Sequence, residues 1–223
     1  MQTTKSSRSV YQGQSLVETA LVMVLLIIIL ASIVEFGLML NAYLAVQDAA
    51  RNAARYSSDY LFSYRDDIRK CRPDEGGGQA TRDFYRVTGC LVNQELALAR
   101  PQVTLTLSMT NGDDVVVSAF SIAGAGKVPT PTVYARFPGE FGEAGWSESL
   151  DWFGHRNQSS LITRDKIENK LDMQAPSTGF VAVEIFSHYD QVLKLPWITA
   201  FISDPVPLYV YAIMPLVSAE PDE

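Results

Sequence analysis

Few residues in this 223-residue chain are of types and spacings that do chemistry. The only histidines, His155 and His188, lack the H-x3-H or H-E-x-x-H spacing of a zinc site, and each reads as structural. The stretch AGAGKVPT, residues 123–130, has the look of a phosphate loop, but Ser121 stands where that pattern needs Gly and Val128 where it needs Ser or Thr. NGDD, residues 111–114, carries a turn signal without a twelve-residue calcium loop. There is no G-x-S-x-G, and Cys71 and Cys90 are neither C-x-x-C nor enough for a four-thiolate metal site. No metal, cofactor or catalytic residue is assigned. What remains is YQGQSLVETALVMVLL, residues 11–26, where Glu18 stands at the mouth of a long uncharged apolar run. A lone acid at the centre of a membrane helix costs about 2.5–3.5 kcal/mol, so its presence asks for a use.

The element that must carry Glu18 is a helix. Residues 1–13 are polar, hold Lys5 and Arg8 and contain no acid, whereas Thr19 to Val34 is apolar or small throughout. That run spans about 24 Å, and Leu16, Val17 and Phe36 to Leu40 extend it towards the roughly 30 Å of a bilayer core. A single spanning segment over about 16–40 is expected, with Lys5 and Arg8 on the cytoplasmic side and everything beyond it exterior. A cleaved secretory signal is a rival, although Ala31 and Ser32 are adjacent and not spaced as A-x-A, and an uncleaved signal anchor is another. Glu35 lies about 26 Å along the helix from Glu18 and about 100° around it, so the two acids bracket the membrane and share no site; Glu35 reads as an outer boundary marker.

Gly13, then Gln14-Ser15-Leu16-Val17, then Glu18 before an apolar helix resembles the class III signal of type IV pilins, in which prepilin peptidase cuts after the Gly. The continuation EFGLMLNAYLAVQDAARNAARYSS, residues 35–58, is similar to the TadE-like family of tight adherence (Tad) pilus systems. The resemblance covers residues 13–58 and is architectural beyond them. It implies a cytoplasmic leader over 1–13, a mature chain starting at Gln14, and a minor pilin-like (pseudopilin) subunit in place of a main pilin, because the exterior part is large. It also implies partners: prepilin peptidase, other pilin and minor pilin subunits, and the Tad inner-membrane assembly platform. Glu18 then has two readings. It is an interfacial acid reaching headgroups and water, or it accepts the new amino group of a neighbouring subunit's Gln14 and so sets the register of packed helices.

The helix is expected to run over 14–57, since Asn41 to Tyr56 has no Gly or Pro and is rich in Ala. Ala42, Ala45, Ala49 and Ala53 form a stripe of small side chains that admits a close partner, either the protein's own sheet or a neighbouring helix. Residues 58–223 are expected to form an exterior α+β domain, with the long helix packed on a small antiparallel sheet of about four strands. A helix is expected within 81–100. Alternation over 102–109, the Asn111-Gly112 turn and Val115 to Phe120 predict a hairpin, and residues 180–190 and 207–216 predict two more strands. Residues 121–159 have no period and read as an irregular excursion, and residues 160–173 as a short helix with Leu161, Ile167 and Leu171 inward. Cys71 and Cys90 flank CRPDEGGGQATRD, residues 71–83, and an oxidising exterior favours a bridge between them over two buried thiols.

A formal charge of −7 and a pI near 4.9 offer no basic field for a phosphate backbone, so nucleic-acid binding is not expected. The reading is a structural subunit acting in pilus assembly, adhesion or secretion, not an enzyme. The alternative is a single-pass anchored exterior binding or sensor domain in which Gly13 and Glu18 are incidental.

Overall fold

The computed structural model describes residues 8–58, 80–98, 107–200 and 202–216, with residues 8–14 and 80–83 described by backbone alone. One long helix, α1, runs Arg8–Ser58. Its hydroxyls return to the backbone: Thr19 donates to the Ser15 carbonyl and Ser32 to the Ile28 carbonyl, each at 2.9 Å. Below Glu35 the large side chains, Leu21, Ile27 and Ile33 among them, are exposed; above it Ala42, Val46, Ala49, Ala50, Ala53 and Ala54 are buried. The small-residue stripe therefore has its partner within the chain. The upper half of α1 packs on α2 (Ala80–Leu98), β4 (Thr178–Tyr189) and β5 (Val206–Leu216). Polar ties fix the α1–α2 seam: Asn52 Nδ2 donates to Glu95 Oε2 at 2.9 Å, and the Ser57 and Thr88 hydroxyls lie 2.6 Å apart.

β1 (Asp114–Ala123), β2 (Thr132–Phe137), β4 and β5 form an antiparallel sheet in the order β2-β1-β4-β5, and the two-residue β3 (Trp146–Ser147) pairs with β1 on the edge it shares with β2. Strand alternation sends Val115, Val117, Val181, Val183 and Ile185 towards α1 and α2. Phe120, Ile122, Phe180 and Ala182 face the other way, where Ile162, Ile167 and Leu171 cover them. Both faces of the central strands are thus buried.

That double burial explains three departures from the sequence reading. Residues 121–159 are no irregular excursion: they hold β2, β3 and α3 (Glu148–Phe153). Among the described residues the expected hairpin across Asn111-Gly112 is not seen. Met109–Asn111 is a 3-10 turn closed by Gly112 at φ +95°, and the β1 edge that a preceding strand would take is occupied by Ser147 and Trp146 opposite Val116 and Val117. Most of that expected strand, 102–106, lies outside the described residues. In the span 160–173 only α4 (Arg164–Glu168) is helical; Ile167 and Leu171 pack inward while Leu161 stays exposed.

The covering segment is held by buried carboxylates. Asp114 accepts from the Ser147 hydroxyl at 2.7 Å, the Ser149 amide at 3.0 Å and hydroxyl at 2.8 Å, and the Gln158 amide at 3.0 Å. Glu184 accepts from the Ser160 hydroxyl, the Leu161 amide at 2.8 Å and the Tyr209 hydroxyl at 2.8 Å. Each is a buried carboxyl group whose oxygens are met by several donors.

Candidate functional site

The bare half of α1 is the first part of the site. Among the described residues α1 is the one helix long and apolar enough to cross a membrane. A continuous apolar surface of that size is not left to water by a soluble domain. The helix backbone passes through Gly13 and Gln14, and Glu18 is exposed on its first described turns. No described residue covers Glu18, so its carboxylate is exposed among them.

The second part is the joint where the bare half ends. Glu35 is only 4% exposed. Its Oε1 accepts from the Tyr189 hydroxyl at 2.9 Å and the Val192 amide at 2.9 Å, and its Oε2 accepts from the Leu193 amide at 2.8 Å. Burial, and then the hydrogen bond to Glu35, raise the Tyr189 phenol above its ordinary value, so it stays a donor. With three donors on its two oxygens the carboxylate works as a fastening. The boundary reading of Glu35 foresaw none of these bonds.

The loop that supplies the amides is closed at its neck. The Gln191 amide donates to Asp204 Oδ1 at 3.1 Å, Gln191 Nε2 donates to the Ile202 carbonyl at 3.3 Å, and Lys194 Nζ lies 3.7 Å from Asp204. Beside it is an apolar cleft of about 540 Å³, walled by Ile28, Ser32 and Phe36 of α1 and by Trp197, Ile198 and Ile202 of the loop. Sequence reasoning had no means of pairing Glu35 with a loop so distant in the chain; its only local signal was the run KLPWITAFI after a strand.

Cys71 lies outside the described residues, and Cys90, on α2, is not a free thiol. His188 and Asp113 form a close pair, Nδ1 to Oδ1 at 2.6 Å, while His155 is exposed. Glu148 is buried at the α2–α3 contact. Asn93 Nδ2 donates to its Oε1 at 2.7 Å, and its Oε2 has no hydrogen-bond partner among the described residues. Burial above all, with the nearby Asp114 and Asp151 charges, pushes this carboxyl up to about 7 against the Asn93 bond.

No curated protein and no solved structure matches the chain. A family model described as TadE-like protein matches residues 13–55, the stretch that runs from Gly13 through the bare half of α1, past Glu35, to the alanines seated on the sheet. Over that stretch, which holds the bare half of α1 and Glu35, the chain is similar to TadE-like proteins.

Proposed function

We propose that this protein is a minor pilin-like subunit of a Tad pilus, made as a precursor whose leader, residues 1–13, is removed by prepilin peptidase after Gly13. The observation that carries the reading is the coincidence of the TadE-like match with a helix whose lower half is apolar and unpartnered while its upper half is fastened to a folded domain. In the precursor the lower half lies in the inner membrane as a single span, with the α+β domain outside the cytoplasm. Cleavage frees the amine of Gln14, and Glu18 of a neighbouring subunit accepts it in a medium with few other acceptors. Lateral packing with other pilin helices then replaces lipid contact, guided by the assembly platform. Loss of Lys5 and Arg8 moves the formal charge two units below −7. The work is assembly, in support of adhesion or secretion, and not turnover.

The Glu35 joint suits this role. A subunit drawn from lipid into a filament must move as one body, and a buried carboxylate with three donors couples helix to domain where the covering of the helix begins. Deleting the chain in a Tad-bearing host tests the proposal. Pili should be lost, restored by the parent chain, and not restored by Gly13→Val, which blocks the cut. Normal piliation in the deletion strain contradicts it.

A further inference from the structure

We propose that the loop over 191–204 is a second membrane element, which enters the outer leaflet beside α1 so that a lipid acyl chain fills the cleft between them. This rests on the membrane-anchored reading of α1 and on no part of the pilus reading.

The depth of the cleft carries the argument. With Glu18 at the inner edge of the hydrocarbon, Ile28 stands about 15 Å further along the helix and Phe36 about 27 Å, in a core roughly 30 Å thick. The wall formed by Ile28, Ser32 and Phe36 therefore spans the outer half of the core. The opposite wall, Trp197, Ile198 and Ile202, must sit at the same height. If α1 is inserted, the loop is inserted with it.

The composition and bonding of the loop fit that place. Val192, Leu193, Trp197 and Ile202 are exposed, although the neck that holds them is polar and closed. Several of its backbone donors are satisfied within the loop, as hydrocarbon favours. Ile198 and Thr199 donate to the Leu195 carbonyl, Ala200 to Pro196 and Ile202 to Ile198, and Pro196 has no N–H to satisfy. The Thr199 hydroxyl also turns inward, to the Pro196 carbonyl at 3.2 Å. The Val192 and Leu193 amides are taken by Glu35, which explains why an acid can be kept at this depth. Trp197 is the side chain that favours the interface, and Lys194 can lift its ammonium towards headgroups.

The full chain, reconstituted at low density in phosphatidylethanolamine and phosphatidylglycerol vesicles whose acyl chains carry bromine, tests this. Tryptophan emission is read for the parent, for Trp197→Phe, and for a helix reporter made by Met23→Trp in the Trp197→Phe background. The proposal expects brominated lipid to quench the emission that Trp197→Phe removes, with the helix reporter quenched as well. It is overturned if the helix reporter is quenched while Trp197 yields only to aqueous acrylamide, since the loop then rides in water. Protection of Trp197 from both quenchers marks a protein occupant, such as a second copy, and also overturns it. An unquenched helix reporter removes the anchor reading and this one together, and so separates the two failures.

Discussion

The Tyr189 hydroxyl donates to Glu35 Oε1 at 2.9 Å across 154 residues of chain, joining the last residue of β4 to the point on α1 where burial begins. The amides of Val192 and Leu193 complete the set. A helix end packed by alanines alone would have little to fix its rotation or axial height. Three directed bonds to one carboxylate fix both, and they do so around a buried acceptor, where water competes little for the donors.

Glu35→Ala is expected to destabilise the exterior domain by about 3 kcal/mol, because it removes a buried acceptor and leaves two part-buried amides and a buried tyrosine hydroxyl without their partner. Tyr189→Phe removes one bond and should cost about 1.5 kcal/mol. Hydrogen exchange checks the assignment: the Val192 and Leu193 amides should lose protection in Glu35→Ala and keep most of it in Tyr189→Phe.

Glu148 predicts a pH dependence. Its carboxyl is raised from 4.5 to about 7 in the folded chain, so the folded state binds more protons than the unfolded state between those values. Stability should therefore fall as pH rises from about 4.5 to 7, by on the order of 3 kcal/mol from this group, and be flat in this contribution outside the window. Glu148→Gln should remove that slope. Denaturant melts of both proteins at pH 5 and pH 8 measure the difference.

The two halves of α1 should answer substitution differently. Ala50→Leu forces volume into the fully buried seam and should cost the domain about 1–3 kcal/mol. Leu25→Ala, on the bare half, should leave the domain's thermal unfolding unchanged in detergent. Melting curves of the two variants decide this.

Cys90 and Cys71 are expected to be bridged, closing a loop of about twenty residues and contributing roughly 3 kcal/mol on the chain-entropy model. Cys90→Ser should lower the unfolding midpoint accordingly. Two alkylatable thiols in natively purified, unreduced protein contradict the bridge.

The long helix, the strands at β4 and β5 and the α+β class were legible because each is a local pattern: an unbroken apolar run, then alanines without Gly or Pro, then β-branched alternation. The hairpin across Asn111-Gly112 was not, because a turn signal cannot say which strand holds an edge, and Trp146-Ser147 holds this one. Residues 121–159 lacked a period because their elements, β2, β3 and α3, are short, and the segment is tied to the sheet by bonds to Asp114. Glu35 showed its level on the helix but not its partners. Two of its three donors are backbone amides, which leave no trace in residue type, and the third is a tyrosine at the end of an otherwise ordinary strand.

Glu18→Leu separates the two readings of that acid. If Glu18 pairs with a neighbour's amine, the variant should be cleaved normally and fail to enter filaments, as judged by its absence from sheared pili. Incorporation equal to the parent contradicts the pairing.

The claim on which the account turns is the cut at the inner face of the membrane. Intact-mass and N-terminal peptide analysis of the protein recovered from cell envelopes tests it most directly. The account predicts a mature chain beginning at Gln14; recovery of the chain still carrying residues 1–13 in piliated cells contradicts it.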